Sequence, residues 1–151
     1  MPLPRPDFPN YDPETAKAVS QLGAGGGGGL PGFLGIETAD IGPGHMVCEL
    51  AVRDDLLNAF GTLHGGVVAA LADHLLGAVL YSVIERGAWA ATTEFKLNLL
   101  APIRTGTVRA EAHIISMTSR TAVVRIDITN ENRAVAAAQG TVLVMPPKQA
   151  T

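Results

Sequence analysis

The chain has 151 residues, 47% of them apolar, a formal net charge of -3 and a single cysteine, Cys48. That length matches one domain able to bury a core without disulfide or metal staples, and a lone cysteine excludes an internal disulfide. A slightly acidic balance with no basic cluster excludes a nucleic-acid footprint, and an aromatic content of 5% leaves the core to Val, Ala, Leu and Ile.

Residues 1–32 are rich in Pro and Gly and are expected to form a flexible N-terminal segment. No basic stretch followed by an apolar one opens the chain, so no secretory signal is expected and the expected address is cytoplasmic. Asp12-Pro13-Glu14 predicts a helix start, with a capping side chain, Pro in the first helical position and an acid in the first turn; Gly23 can close this short helix. The run Gly25 to Gly29 has no Lys-Ser/Thr after it and no strand before it. Phosphate-loop and dinucleotide patterns therefore fail, and a Gly-rich linker is the better reading. Removing residues 1–29 is expected to leave stability nearly unchanged.

Residues 33–145 read as the folded domain and 146–151 as a C-terminal tail. Gly35 to Ile41 and His45 to Val52 flank Gly42-Pro43-Gly44 and predict a hairpin, with Cys48 as a small buried hydrophobe. Gly65 to about Ile84 predicts a helix that is apolar nearly all round, its only polar side chains before Tyr81 being Asp73 and His74. Such a segment approaches the roughly 20 residues of a membrane span. A mid-span Asp beside a His is expensive in lipid and no basic flanks or aromatic belts accompany it, so the helix is assigned to a core and no membrane partner is expected. Glu85-Arg86-Gly87 marks its far end. Four alternating segments follow: Thr93 to Leu99, Val108 to Ile114, Ala122 to Ile128, and Ala134 to Val144 after the turn Asn130-Glu131-Asn132. Hairpin, one buried helix and about four antiparallel strands imply a sheet curled around the helix, and its edges favour a dimer.

The chemistry gathers at the mouth of that helix. Gly65 and Gly66 stand where helical N–H groups have no internal partner and no Cβ blocks approach, the outline of an oxyanion site, although glycines there also serve as plain punctuation. Asp73 has no Lys or Arg within a turn, and small neighbours at Ala69, Ala70 and Gly77 leave room for another molecule; the other reading is a buried Asp satisfied by local hydrogen bonds. His64 by itself reads as structural, and His74, about 100° around the helix from Asp73, faces an interface or the surface. His45 and His113 stand isolated, no spacing groups His, Cys and acids as a metal site, and no cofactor is expected. Ser82, Ser116 and Ser119 have no matched base and there is no Gly-x-Ser-x-Gly elbow. Arg104 and Arg120, at turns beside strands, are candidates for phosphate contact.

The ordered set Asn58…Gly61-Thr62-Leu63-His64-Gly65-Gly66…Leu71-Ala72-Asp73, followed by Phe95-Lys96-Leu97-Asn98-Leu99-Leu100-Ala101-Pro102…Gly106, resembles the hotdog-fold acyl-CoA thioesterases of the phenylacetate-pathway (PaaI-like) type. The resemblance covers about Phe33 to Met145 and is strongest between Asn58 and Gly106. It implies an α+β hotdog fold, a long buried helix wrapped by a curved antiparallel sheet of about six strands, and hydrolysis of an acyl-CoA to free acid and CoA. By the same resemblance the Gly65 N–H polarises the carbonyl, with Gly66 beside it at the substrate. Asp73 is the general base or nucleophile, Asn58 positions substrate or water, His64 holds the loop, and Thr92 contacts the lytic water, a slip of one residue to Thr93 being open. The Asp-x-Asn-Pro-x-His pattern of hydratase relatives is absent. The resemblance further implies a homodimer with shared sites, each Asp73 facing the other subunit's Gly65, and a dimer of dimers. A non-catalytic acyl-CoA-binding module, a sensor or regulatory subunit, is the alternative; the presence of Asp73 argues against it.

Overall fold

In the computed structural model, which describes residues 6–22 and 28–148, the alternating segments become six strands of one antiparallel sheet. They are β1 (Ile36–Gly42), β2 (His45–Ala51), β3 (Trp89–Leu99), β4 (Thr107–Met117), β5 (Thr121–Asn130) and β6 (Arg133–Met145). Their order across the sheet is β1-β2-β4-β5-β6-β3. Period-two alternation gives the sheet one apolar face, carried by Met46, Cys48 and Leu50 of β2, by Val108, Ala110 and Ala112 of β4 and by Val124, Ile126 and Ile128 of β5, all buried. The curved sheet wraps that face around α3 (Gly65–Ala78), which buries Val68, Leu71, Leu75 and Leu76. Each of these large side chains contributes about 1.5–3 kcal/mol of burial. The α+β architecture expected from the sequence is therefore the one observed.

The helix is shorter than its composition suggests. Regular α-helix stops at Ala78, and the chain tightens into i to i+3 turns, with Leu80 N–H donating to Gly77 O at 3.2 Å and Val83 N–H to Leu80 O at 2.9 Å. Val79, Leu80, Val83 and Ile84 stay buried through those turns, so the hydrophobic run continues where the geometry changes. The turn between β5 and β6 holds Glu131 and Asn132 at φ 50° and 63°, the left-handed pair that a two-residue hairpin loop demands.

Two short helices precede the sheet, α1 (Pro13–Gln21) and α2 (Gly29–Leu34). Within the N-terminal segment, residues 6–22 contact the rest of the chain. The Asp12 carboxylate caps α1, accepting from Glu14 N–H at 3.0 Å and from the Thr15 hydroxyl at 2.7 Å, and its main-chain N–H donates to Ser82 O at 2.8 Å. Arg86 adds an ion pair to Asp12 at 2.9 Å. Ala16 and Val19, three apart on one face of α1, are buried, Val19 within the main core, and the Phe8 ring lies where Gly44 would carry a Cβ. α1 thus packs beside β1, because two apolar positions at helical spacing suffice to dock so short an element. Gly28 and Gly29 lead directly into α2, whose Leu34 is buried; Gly23 and Gly25 to Gly27 lie outside the described residues. No helix among the described residues is long and apolar enough to cross a membrane.

Candidate active site

The entry to α3 is built by side chains that consume donors and acceptors locally. Asn58 Oδ1 accepts from Phe60 N–H at 2.9 Å and Thr62 N–H at 3.3 Å, while its amide nitrogen donates to Thr62 Oγ1 at 2.8 Å. The loop is tied below by Leu63 N–H to Ile103 O at 2.7 Å and His64 N–H to Leu56 O at 2.9 Å. His64 is the N-cap of α3, its Nδ1 accepting from Gly66 N–H at 2.8 Å. That bond places the neutral ring's proton on Nε2. With Gly66 N–H taken by His64 and Val67 N–H by His64 O, the Gly65 N–H donates to no group among the described residues. It stands at the positive end of the helix, beside a cavity of about 270 Å³ lined by Asn58, Thr62, Val68, Leu99 and Ile103.

Gly65 is also a close-approach position. A Cβ there would lie 2.8 Å from Leu99 Cδ1, so Leu99 of β3, given by the sequence only as part of an alternating strand and of the family motif with no site role, forms a wall of the cavity.

Asp73 lies elsewhere. The sequence suggested a carboxylate inside a buried helix, whereas Asp73 is exposed and makes no hydrogen bond or ion pair among the described residues. The face of α3 bearing Asp73 and Gly77 is uncovered by the sheet and opens, with Thr92, Thr93 and Phe95 of β3, into a cavity of about 620 Å³. β3 bulges there, its register with β6 shifting between Thr92 and Glu94. Gly140 of β6 permits the bulge, because a Cβ would stand 2.6 Å from Phe95 Cβ and 2.7 Å from the Glu94 carbonyl oxygen. Thr93 Oγ1 donates to Thr141 O at 3.0 Å, leaving Thr92 as the threonine whose hydroxyl has no partner among the described residues. His74 is half-buried, and burial pulls its imidazole below the usual range against the opposing effect of Asp73.

Within one chain the structure brings Asn58, His64, Gly65 and Gly66 together, and Asp73 with Thr92, but not the two groups with each other. Eight helical residues separate Gly65 from Asp73, a rise of about 12 Å. Arg104 joins the first group, its Nη1 bracing the Asn58 loop by donating to Gly61 O at 3.3 Å. Arg120 does not: it lies beyond the other end of the eleven-residue β4, a strand about 33 Å long at 3.3 Å per residue. It lines a cavity of about 720 Å³ that holds none of the other candidates.

The reading of His45 and His113 as isolated is corrected. β2 and β4 pair them directly, their rings stack with centroids 4.7 Å apart, and both reach Glu111. Cys48 is buried and inert, its thiol pushed up to about 11 by burial against a weak contact from Thr38.

Residues 60–137 match the family model of the thioesterase superfamily. Acyl-coenzyme A thioesterase 13 of Homo sapiens is 32% identical over 99 residues, which cover 65% of this chain and 70% of that protein. A thioesterase from Haemophilus influenzae superposes with a TM-score of 0.80 at 28% identity, covering 89% of this chain and 93% of the other. The E. coli PaaI protein from the phenylacetic acid degradation operon superposes at 0.71 with 26% identity, covering 77% and 83%. The matched stretch contains Gly65, Asp73 and Thr92 and begins just after Asn58.

Proposed function

The chain belongs to the thioesterase superfamily, and we propose that this thioester hydrolase cleaves acyl-CoA through the Gly65 amide of one subunit and Asp73 of the partner subunit. The observation that carries this reading is the unengaged Gly65 N–H at the N-terminus of α3, beside a cavity, with an unengaged carboxylate about 12 Å further along the same helix. The acyl carbonyl accepts from Gly65 N–H, and negative charge developing on that oxygen is stabilised by the donor and the helix terminus. Asp73 acts as general base on a water held by the Thr92 hydroxyl, or attacks directly; the tetrahedral adduct collapses and expels the CoA thiolate, and after direct attack water then hydrolyses the acyl-Asp73 anhydride to release the acid. Reacting atoms must approach to about 3–3.5 Å, which one chain does not achieve with these two groups.

A second copy of the chain removes the difficulty. β3 is an edge strand with no partner on its outer side among the described residues, its Trp89 and Leu99 are exposed, and the Asp73 cavity opens beside it. A two-fold partner covering this edge faces each Asp73 with the opposite Gly65, and pairing of such dimers completes the assembly. His64 holds the amide in place, Asn58 shapes the loop, and Arg104, exposed beside it, meets the CoA phosphates.

Complementation tests the shared site. Gly65→Pro removes the N–H at a first-turn position that Pro suits, and its Cβ meets the flexible end of Leu99. Mixing inactive Asp73→Ala chains with inactive Gly65→Pro chains is expected to restore one working site per mixed dimer. Purified mixed dimers that stay inactive while both parents fold and dimerise would exclude sharing.

A further inference from the structure

The outer face of the sheet, turned away from α3, carries a second cluster with its own chemistry. The register of β2 and β4 sets His45 against His113, and Glu111, two residues before His113, lies on the same face. His45 Nε2 stands 3.2 Å and His113 Nε2 3.0 Å from the same atom, Glu111 Oε1. We propose that His45, His113 and Glu111 form a binding site for a divalent transition-metal ion of the zinc class, separate from the thioesterase site.

Imidazole nitrogen and carboxylate oxygen are the ligand types such ions take, and two His with one carboxylate is a sufficient protein set, water filling the remaining position. The spacing fits. Zinc holds these ligands at about 2.0–2.2 Å, so neighbouring vertices of a tetrahedron around it lie about 3.3 Å apart. The two nitrogen-to-oxygen separations already have that length, and all three ligand atoms lie within 4.8 Å of one another. The stacked rings lie 27° from parallel, with both Nε2 atoms beside the same Glu111 oxygen.

The surroundings suit a cation. Without metal, each ring donates an Nε2–H to Glu111; with metal, the proton of each neutral ring resides on Nδ1 instead. On His45 that Nδ1 faces Asp40 Oδ2 at 3.6 Å, giving the carboxylate behind the imidazole that orients metal-bound histidines. Desolvation pushes the Glu111 carboxyl up, but its bonds to His113 and His45 outweigh it and hold the group below the usual range. Of the cations on the same face, Arg125, in register with His113 on β5, is engaged by Asp127 at 3.0 Å, and Arg109, two residues before Glu111 on β4, by Glu49 at 3.2 Å. Both histidine side chains are 23% exposed, accessible yet fixed by neighbouring strands rather than by mobile loops.

The test is calorimetric titration of Zn²⁺ into the full chain stripped with chelator, beside His45→Gln, His113→Gln, Glu111→Gln and the His45→Gln/His113→Gln double variant. One Zn²⁺ per chain is expected, with at least tenfold weaker binding in each single variant, none at the site in the double variant, and unchanged basal acyl-CoA hydrolysis throughout. Less than half an equivalent bound by wild type, or a double variant that binds like wild type, overturns the proposal. Should a variant fail to fold by circular dichroism, diethyl pyrocarbonate labelling of wild type decides. Zn²⁺ is expected to protect His45 and His113 while leaving exposed His64 reactive, and equal labelling with and without Zn²⁺ refutes the site.

Discussion

Asp73→Asn separates the proposed chemistry from the fold. In the structure Asp73 is exposed and has no hydrogen-bond or ion-pair partner among the described residues, so an isosteric amide removes no contact. The stability change is therefore expected within about 0.5 kcal/mol, the range of ordinary surface substitutions. A chain of this size shifts by roughly 2–4 °C per kcal/mol, which bounds the melting-temperature change at about 2 °C. The rate should behave quite differently. Loss of a general base lowers turnover about 10²- to 10⁴-fold, equivalent to about 3–5 kcal/mol of activation free energy at 1.36 kcal/mol per decade. The assay is release of free thiol from a panel of acyl-CoAs under Ellman detection, with melting followed on the same preparations. A variant that keeps kcat within about threefold of wild type removes Asp73 from the mechanism; one that loses rate only together with several degrees of stability shows a structural role instead.

The docked N-terminal helix carries stability: Val19→Ala is expected to cost roughly 1–2 kcal/mol by urea unfolding, at about 0.8 kcal/mol per buried methylene, and deletion of residues 1–22 more. Unchanged unfolding in both would mean that α1 does not pack as described. The Asp12 carboxyl lies near 2 rather than 3.8, held down first by the Thr15 hydroxyl and then by Arg86. Because the folded value is the lower one, its contribution is complete above the ordinary value and is lost as pH falls through about 2; the melting difference between wild type and Asp12→Asn should shrink between about pH 4 and pH 2, and a constant difference would contradict the pairing. His64 acts through its cap, so His64→Asn, which retains a capping acceptor, should keep kcat within about tenfold, whereas His64→Leu should lose about 1 kcal/mol of stability and more rate. A hundredfold loss in His64→Asn at unchanged melting temperature would assign the imidazole a direct part.

Much of this molecule is legible in local order. Period-two alternation in Val108 to Ile114 and Ala122 to Ile128 marked strands whose apolar sides do face the helix, and Gly65-Gly66 before an apolar run marked the start of α3. Asp12-Pro13-Glu14 marked the start of α1. Those features depend on neighbours within a turn or a strand repeat, where backbone geometry alone dictates which side chains share a face. Tertiary structure decided the rest. Whether α1 stands free or docks depends on β1 offering a surface for Ala16 and Val19, and the end of α3 at Ala78 is a change of backbone geometry inside an unchanged apolar run. Asp73 is exposed because the sheet leaves one face of α3 uncovered, which helix periodicity in an almost wholly apolar segment does not reveal. His45 meets Glu111 across 66 residues because strand order places β4 beside β2. Sequence determines what each element is and which face it presents; the pairing of distant strands, set by collective burial rather than by any one segment, determines which faces meet.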